Sequence, residues 1–198
     1  MRTGIDPTVD YAFKRVFATE ENAPLLIHFL NAVLDPEPSK RVAAIDLLTT
    51  INDRQTADDK VTLVDLRVRD SSGRHFIIEM QLVVTQAFRE RILYYGCRDY
   101  AQQLQEGVDY AGLMPTIVIC IVGRKLFPTE TGHHFRFRLT AEGCRVSFTD
   151  RLEIHTIELG KFAATSDDLA TALDQWLFFL KNGEELEAGN LPENLDAP

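Results

Sequence analysis

Cysteine, tryptophan and net positive charge are all scarce in this chain. There are three cysteines and one tryptophan in 198 residues, and 30 acidic side chains outnumber 21 basic ones, for a formal net charge of -9. Cys97, Cys120 and Cys144 form no CxxC pair and are odd in number, which argues against a disulfide framework or a cysteine zinc site. They read as reduced thiols of a cytoplasmic protein. The acidic balance excludes a simple basic coat for nucleic acid, since phosphate contacts need Lys and Arg. It leaves room for a site whose positive charge comes from a bound ion. No apolar run is long enough to span a bilayer, and the longest, Thr116–Val122, has the length of a buried strand. The opening MRTGIDPTVD has no apolar signal region, so no export signal is expected. Hydrophobic residues make up 45% of the chain, which suits one compact domain with a sizeable core.

The most informative stretch runs from Val61 to Gln81. It reads as two strands joined by a tight loop at Ser71, Ser72 and Gly73. In the first strand Val64, Leu66 and Val68 share one side, with Asp65, Arg67 and Arg69 on the other. In the second, Phe76, Ile78 and Met80 oppose Ile77, Glu79 and Gln81. Such alternation marks strands with one well-buried face. A three-residue loop with Gly73 in the left-handed position sets Asp70 opposite Arg74 and Asp65 opposite Glu79. A two-residue loop would set Glu79 opposite Val64, against the alternation. Directly opposed Cβ atoms lie about 4.5–5.5 Å apart. Two carboxylates that close repel unless a positive charge lies between them, and a hard divalent cation such as Mg²⁺ or Mn²⁺ suits oxygen ligands. The plainer reading pairs both acids with Arg67, Arg69 or Arg74 on an open surface. The apolar setting of Glu79 (FIIEMQL) weighs against it, because a buried acid needs a partner.

Around this hairpin the pattern predicts a short helix over Asp10–Phe17, with Asp10 and Lys14 as an i,i+4 pair. A second helix is expected over Pro24–Leu34, ended by Asp35-Pro36-Glu37-Pro38, and His28 falls on its surface or boundary. Val42–Thr50 reads as a strand and Asn52–Lys60 as a polar loop. A long helix follows over Gln86–Glu106, stopped by Gly107, with Phe88, Ile92, Tyr95, Cys97, Ala101 and Leu104 towards the sheet. Arg91, Tyr94 or Tyr95, and Arg98 recur along one side of it. Thr116–Val122 is a buried strand that should run parallel to the Glu79 strand. His133–Leu139 alternates, with Arg136 and Arg138 on its polar side. The adjacent His133 and His134 face opposite ways, which argues against a shared metal. Arg145–Asp150 and Leu152–Leu159 read as further edge strands, His155 as a structural residue, and Asp167–Lys181 as a helix packed through Trp176. Arg67, Arg69, Arg74, Arg89, Arg91 and Arg98 are expected to cluster around the acid pair. The acidic stretch from Gly183 has no periodicity.

An Asp, a Gly turn and a Glu-x-Gln at the end of an apolar strand resemble the PD-(D/E)XK nuclease core. The wider chain resembles the Rpn family of recombination-promoting nucleases, or PD-(D/E)XK nuclease family transposases. The resemblance rests on DPTVDYAFKRVF, LLIHFLNAVL, Asp65 with IEMQ, RILYYGCRDYAQQLQEGVDY and LMPTIVICIV, in that order. It departs from the superfamily name at Gln81, where lysine is usual, a form common in the Rpn-like branch.

The resemblance implies an α/β fold with a mixed central sheet flanked by helices. It implies a nuclease-like domain over residues 1–164, a packing helix over 165–182 and an acidic tail over 183–198. It also implies a Mg²⁺-dependent (or Mn²⁺-dependent) endonuclease acting on DNA, with Asp65, Glu79 and the Met80 carbonyl as metal ligands and Gln81 in the lysine's place. Asp10 is suggested as an accessory ligand, its structural pairing with Lys14 being the other reading. Arg91 with Tyr94 or Tyr95 would hold the substrate phosphate. A homodimer follows by analogy only. The runner-up is a catalytically weak or inactive module of the same fold that binds DNA or a partner protein. A third reading is a structural subunit of a larger transposition assembly.

Overall fold

The computed structural model describes residues 7–8, 10–48, 64–104 and 109–184, with the side chains of Asp10 and Tyr11 outside the description. The strands are β1 (Ile45–Leu47), β2 (Leu66–Asp70), β3 (His75–Gln81), β4 (Thr116–Val122), β5 (His134–Thr140) and β6 (Ser147–Glu158). They form one six-stranded sheet in the order β1-β2-β3-β4-β6-β5. The pairs β3–β4 and β4–β6 are parallel. The pairs β1–β2, β2–β3 and β5–β6 are antiparallel. The helices are α1 (Asp10–Phe17), α2 (Ala23–Leu34), α3 (Phe88–Gln102) and α4 (Ala172–Asn182). The fold is therefore α/β, a mixed sheet with helices on both faces.

Every side chain of β4 is buried, because parallel central strands are covered on both faces. On one face Leu66, Val68, Phe76, Ile78 and Met80 pack with α1, α2 and α4. Their centre is an aromatic cluster in which the Phe17 ring lies 4.9 Å from Phe13, 5.4 Å from Phe29 and 5.4 Å from Trp176. On the other face Ile77, Val118, Cys120 and Val122 pack against Phe88, Ile92 and Tyr95 of α3. That helix comes close through Gly96, where a Cβ would lie 2.9 Å from both Val118 and Leu152.

The hairpin has the expected register. Val68 faces Phe76 and Leu66 faces Ile78, and Asp70 N–H donates to the Arg74 carbonyl at 2.9 Å. Gly73 adopts φ of 90°, a region where a side chain is strained. The Asp70 carboxylate closes the loop by accepting from Ser72 N, Arg74 N and Arg74 Nε.

Several boundaries differ from expectation. The first strand is Ile45–Leu47 rather than Val42–Thr50, and residues 49–63, with the polar loop, lie outside the described residues. β2 begins at Leu66, so Val64 escapes the strand alternation and packs on the α3 side with Ile77. Helix α3 is shorter than Gln86–Glu106, and Gly107 lies outside the described residues. Its buried side passes through Gly96 and Asp99, leaving Cys97 and Ala101 exposed. Asp99 can be buried because Arg67, His75 and Thr116 all bind its carboxylate. The segments expected as edge strands are one continuous interior strand, β6, and β5 is the edge. α4 starts at Ala172 rather than Asp167, where Thr171 and Asp174 form a reciprocal capping box. Residues 185–198 of the acidic tail lie outside the described residues. Among the described residues no helix is long and apolar enough to cross a membrane.

Candidate active site

Asp65 and Glu79 come together where β2 begins and β3 ends. Asp65 N–H donates to Glu79 Oε2 at 3.2 Å, and Met80 N–H donates to Asp65 Oδ2 at 2.8 Å. The second bond is possible because Asp65 bends out of the ladder and its side chain takes the place of a strand partner. In a strand the N–H and C=O of one residue point to the same edge. The Met80 carbonyl is therefore aimed at the same edge as the N–H that Asp65 holds.

Glu79 is 5% exposed. Burial, followed by the nearby Asp65 charge, raises its pKa from 4.5 to about 7. The Asp65 N–H, Arg91 and Lys14 oppose the rise without cancelling it. Glu158 at the neighbouring end of β6 shows the contrast. Lys161 at 3.0 Å and the N–H groups of Leu126 and Phe127 occupy that acid fully.

Two cations flank the acid pair from opposite faces of the sheet. Lys14 of α1 lies 3.5 Å from Asp65 Oδ1. Arg91 of α3 donates to Gln81 Oε1 at 2.7 Å and stands 3.9 Å from Glu79 Oε1. The Arg91 guanidinium lies over the rings of Phe88 and Tyr95 at 5.5 and 6.0 Å. Its Nε is buried without a hydrogen-bond partner among the described residues. Such an orphan donor costs free energy unless something accepts from it.

The plainer reading of the acids does not hold. Arg67 pairs with Asp99, Arg69 with Asp46 and Arg74 with Asp70. Of the arginines expected around the acid pair, Arg67, Arg69 and Arg74 are engaged elsewhere, and Arg91 stands beside Glu79. Of the two tyrosines, Tyr95 is buried beside Glu79, and burial followed by the Glu79 charge raises its pKa. Tyr94 is 51% exposed, and its hydroxyl accepts from Arg98 at 3.4 Å. Adjacent helical positions cannot share a face, so only one of the pair could meet the site. The side chain of Asp10 lies outside the described residues.

Lys14 is the site residue that sequence reasoning missed. Its i,i+4 relation to Asp10 supplied a sufficient local role, and nothing local could show that α1 reaches the start of β2. Among the described residues no group of three or more His, Cys, Asp and Glu side chains is placed to hold a metal. The fit to a divalent ion thus rests on two carboxylates and a backbone carbonyl. The raised Glu79 is the observation in its favour, because an acid held close to a second carboxylate is stabilised in its charged form by a bound cation.

Neither the curated proteins nor the solved structures yield a match to this chain. The family model described as PD-(D/E)XK nuclease family transposase matches residues 7–195. With that match spanning nearly the whole sequence, and with a mixed sheet bringing Asp65 and Glu79 together, the chain belongs to the PD-(D/E)XK nuclease family transposases.

Proposed function

We propose that the protein is a Mg²⁺- or Mn²⁺-dependent endonuclease that hydrolyses phosphodiester bonds in DNA. The observation that carries this reading is the close, mutually repelling pair of half-buried Asp65 and buried Glu79, whose glutamate is raised to about 7. Asp65, Glu79 and the Met80 carbonyl would hold the ion, with Asp10 as an accessory ligand. When bound, such an ion supplies Lewis-acid stabilisation of the phosphate and makes a water more acidic.

The remaining work falls to side chains of this chain. Arg91, one-third exposed beside Glu79, binds the non-bridging oxygens of the scissile phosphate through its guanidinium. Tyr95 packs against the Arg91 guanidinium and holds its orientation. Gln81 is anchored by Arg91 and orients the attacking water through its amide. It brings no charge, so Lys14, reaching Asp65 from α1, supplies the positive charge that lysine carries elsewhere in the superfamily.

The test is a plasmid-nicking assay with Mg²⁺, Mn²⁺ or EDTA on wild type and Glu79→Ala. Metal-dependent cutting that disappears in the variant supports the reading. Tight DNA binding without cutting in either protein supports the alternative, a nuclease-like binding module. That alternative is favoured by the uncharged Gln81 and by Lys14 lying against one oxygen of Asp65.

A further inference from the structure

A second group of polar side chains lies on the α2 face of the sheet, away from the α3 face that carries Arg91. It borders a cavity of about 420 Å³ between α2, the loop after it, β5, β6 and the start of α4. A larger cavity of about 550 Å³ adjoins it, with Arg41 and Arg136 in both walls. Neither cavity is lined by Asp65, Glu79 or Arg91.

The polar wall is held in place by hydrogen bonds that are partly or fully buried. The Asn31 side-chain amide both donates to and accepts from the Val42 backbone at 2.9 Å. This fixes the chain beside Arg41, whose guanidinium has no ion-pair partner among the described residues. Trp176 Nε1 donates to His28 Nδ1 at 2.9 Å, so the His28 proton sits on Nε2, where it can be donated. Arg136 is gripped by Glu153 at 2.6 and 3.0 Å. Glu153 also binds Arg138 at 2.7 Å and His155 Nε2 at 2.6 Å. The Glu153, Arg136 and Arg138 group therefore keeps a positive charge. His155 Nδ1 meets His134 Nε2 at 2.8 Å. With His155 donating to Glu153, His134 donates in turn to His155 and keeps Nδ1 as an acceptor.

We propose that this inner cavity binds a phosphate monoester of nucleotide size, at a site separate from the acid pair. Its volume lies in the range of small-ligand pockets. Arg41, Arg136 and His28 stand on three separate elements, which suits a tetrahedral group approached from several sides. Arg41 offers its guanidinium fork to the phosphate oxygens, and Arg136, whose Nε and one terminal nitrogen are held by Glu153, offers its remaining N–H groups. Against two arginines the inner wall carries one exposed acid, Asp35, besides apolar Ala32, Val33 and Leu173 for the esterified body. Glu37 and Asp150 line the outer cavity only. His134 Nδ1 accepts from a sugar hydroxyl or base N–H. The phosphate comes either from a free mononucleotide or from the 5′ end of a DNA strand.

The test titrates thymidine 5′-monophosphate into the full chain without divalent ions, by calorimetry or NMR. Saturable single-site binding is expected in wild type and unchanged in Glu79→Gln. Arg41→Gln and Arg136→Lys should each weaken it by about tenfold, as for loss of a charge-assisted hydrogen bond. Oligonucleotides with and without a 5′-phosphate then separate the sources. A phosphate preference lost in Arg41→Gln assigns the DNA end, and binding of the mononucleotide alone assigns the free nucleotide. No saturable binding of either probe, equal binding by Arg41→Gln, or loss of binding in Glu79→Gln overturns the proposal. Because no metal and no cutting are involved, an inactive nuclease would leave this result unaffected.

Discussion

Replacing Glu79 with glutamine should stabilise the metal-free protein at alkaline pH while removing its response to divalent cations. The amide has nearly the same shape and can still accept the Asp65 N–H that now lies 3.2 Å from Glu79 Oε2. It carries no charge to be desolvated or repelled by Asp65. An acid raised from 4.5 to about 7 in the folded state favours folding when protonated. That contribution is complete below pH 4.5 and is lost as the pH rises through about 7. The rise corresponds to about 3 kcal/mol against the ionised form. For a domain of this size, each kcal/mol moves Tm by about 2–4 °C. The variant should therefore melt about 6–12 °C above wild type at pH 8 in EDTA, with little difference at pH 4.5. Adding Mn²⁺ should raise wild-type Tm and leave the variant unmoved, narrowing or reversing the gap. Thermal unfolding followed by circular dichroism reads all of these values. A variant no more stable than wild type at pH 8, or one with the same advantage at both pH values, would refute the reasoning.

Further outcomes follow from other contacts. Lys14→Gln should lower the rate of DNA cutting by about a hundredfold, the usual effect of losing one transition-state donor, with a small change in Tm. Because the Lys14 charge lowers the Glu79 pKa, the acidic limb of the pH–rate profile should also move upward in that variant. Gly96→Val should cost more than about 2 kcal/mol in denaturant unfolding, since even a Cβ there meets Val118 and Leu152 at 2.9 Å. Glu153→Ala should cost about 3 kcal/mol by stripping Arg136, Arg138 and His155 of their shared partner. Hydrogen bonds from those three groups, outweighing burial, lower the Glu153 carboxyl to about 2. Its contribution is therefore present above about pH 4.5 and lost as the pH falls towards 2, which acid unfolding of wild type and variant would show.

The parts of the fold legible in the sequence were those fixed by near neighbours. Alternation over Leu66–Asp70 and His75–Gln81, with one glycine able to take positive φ, set both the hairpin and its register. That register brings the start of β2 beside the end of β3, where Asp65 meets Glu79 through bonds outside the ladder. The run Thr116–Val122 announced a central strand because every residue after Thr116 is apolar. Contacts between layers were not legible. Arg67 stands two positions from Asp65 in sequence, yet its partner is Asp99 on a helix far along the chain. Asp10, four positions before Lys14 in the sequence, offered that lysine a local role, which hid its reach to Asp65. β6 reads as two segments because register shifts near Arg138–Thr140 break its pairing with β5. The start of α4 was legible in principle. Thr171 and Asp174 have capping-box spacing, but the acidic residues before them read equally well as a first helical turn.

The account rests on Asp65 and Glu79 sharing one divalent cation, and calorimetric titration of Mn²⁺ into the metal-free protein tests this most directly. The predicted result is one saturable site per chain, with proton release near pH 7 that shows as a dependence of the heat on the buffer. Both signals should disappear in Asp65→Asn and in Glu79→Gln. Absence of saturable binding in wild type, or binding that survives both substitutions, would contradict it.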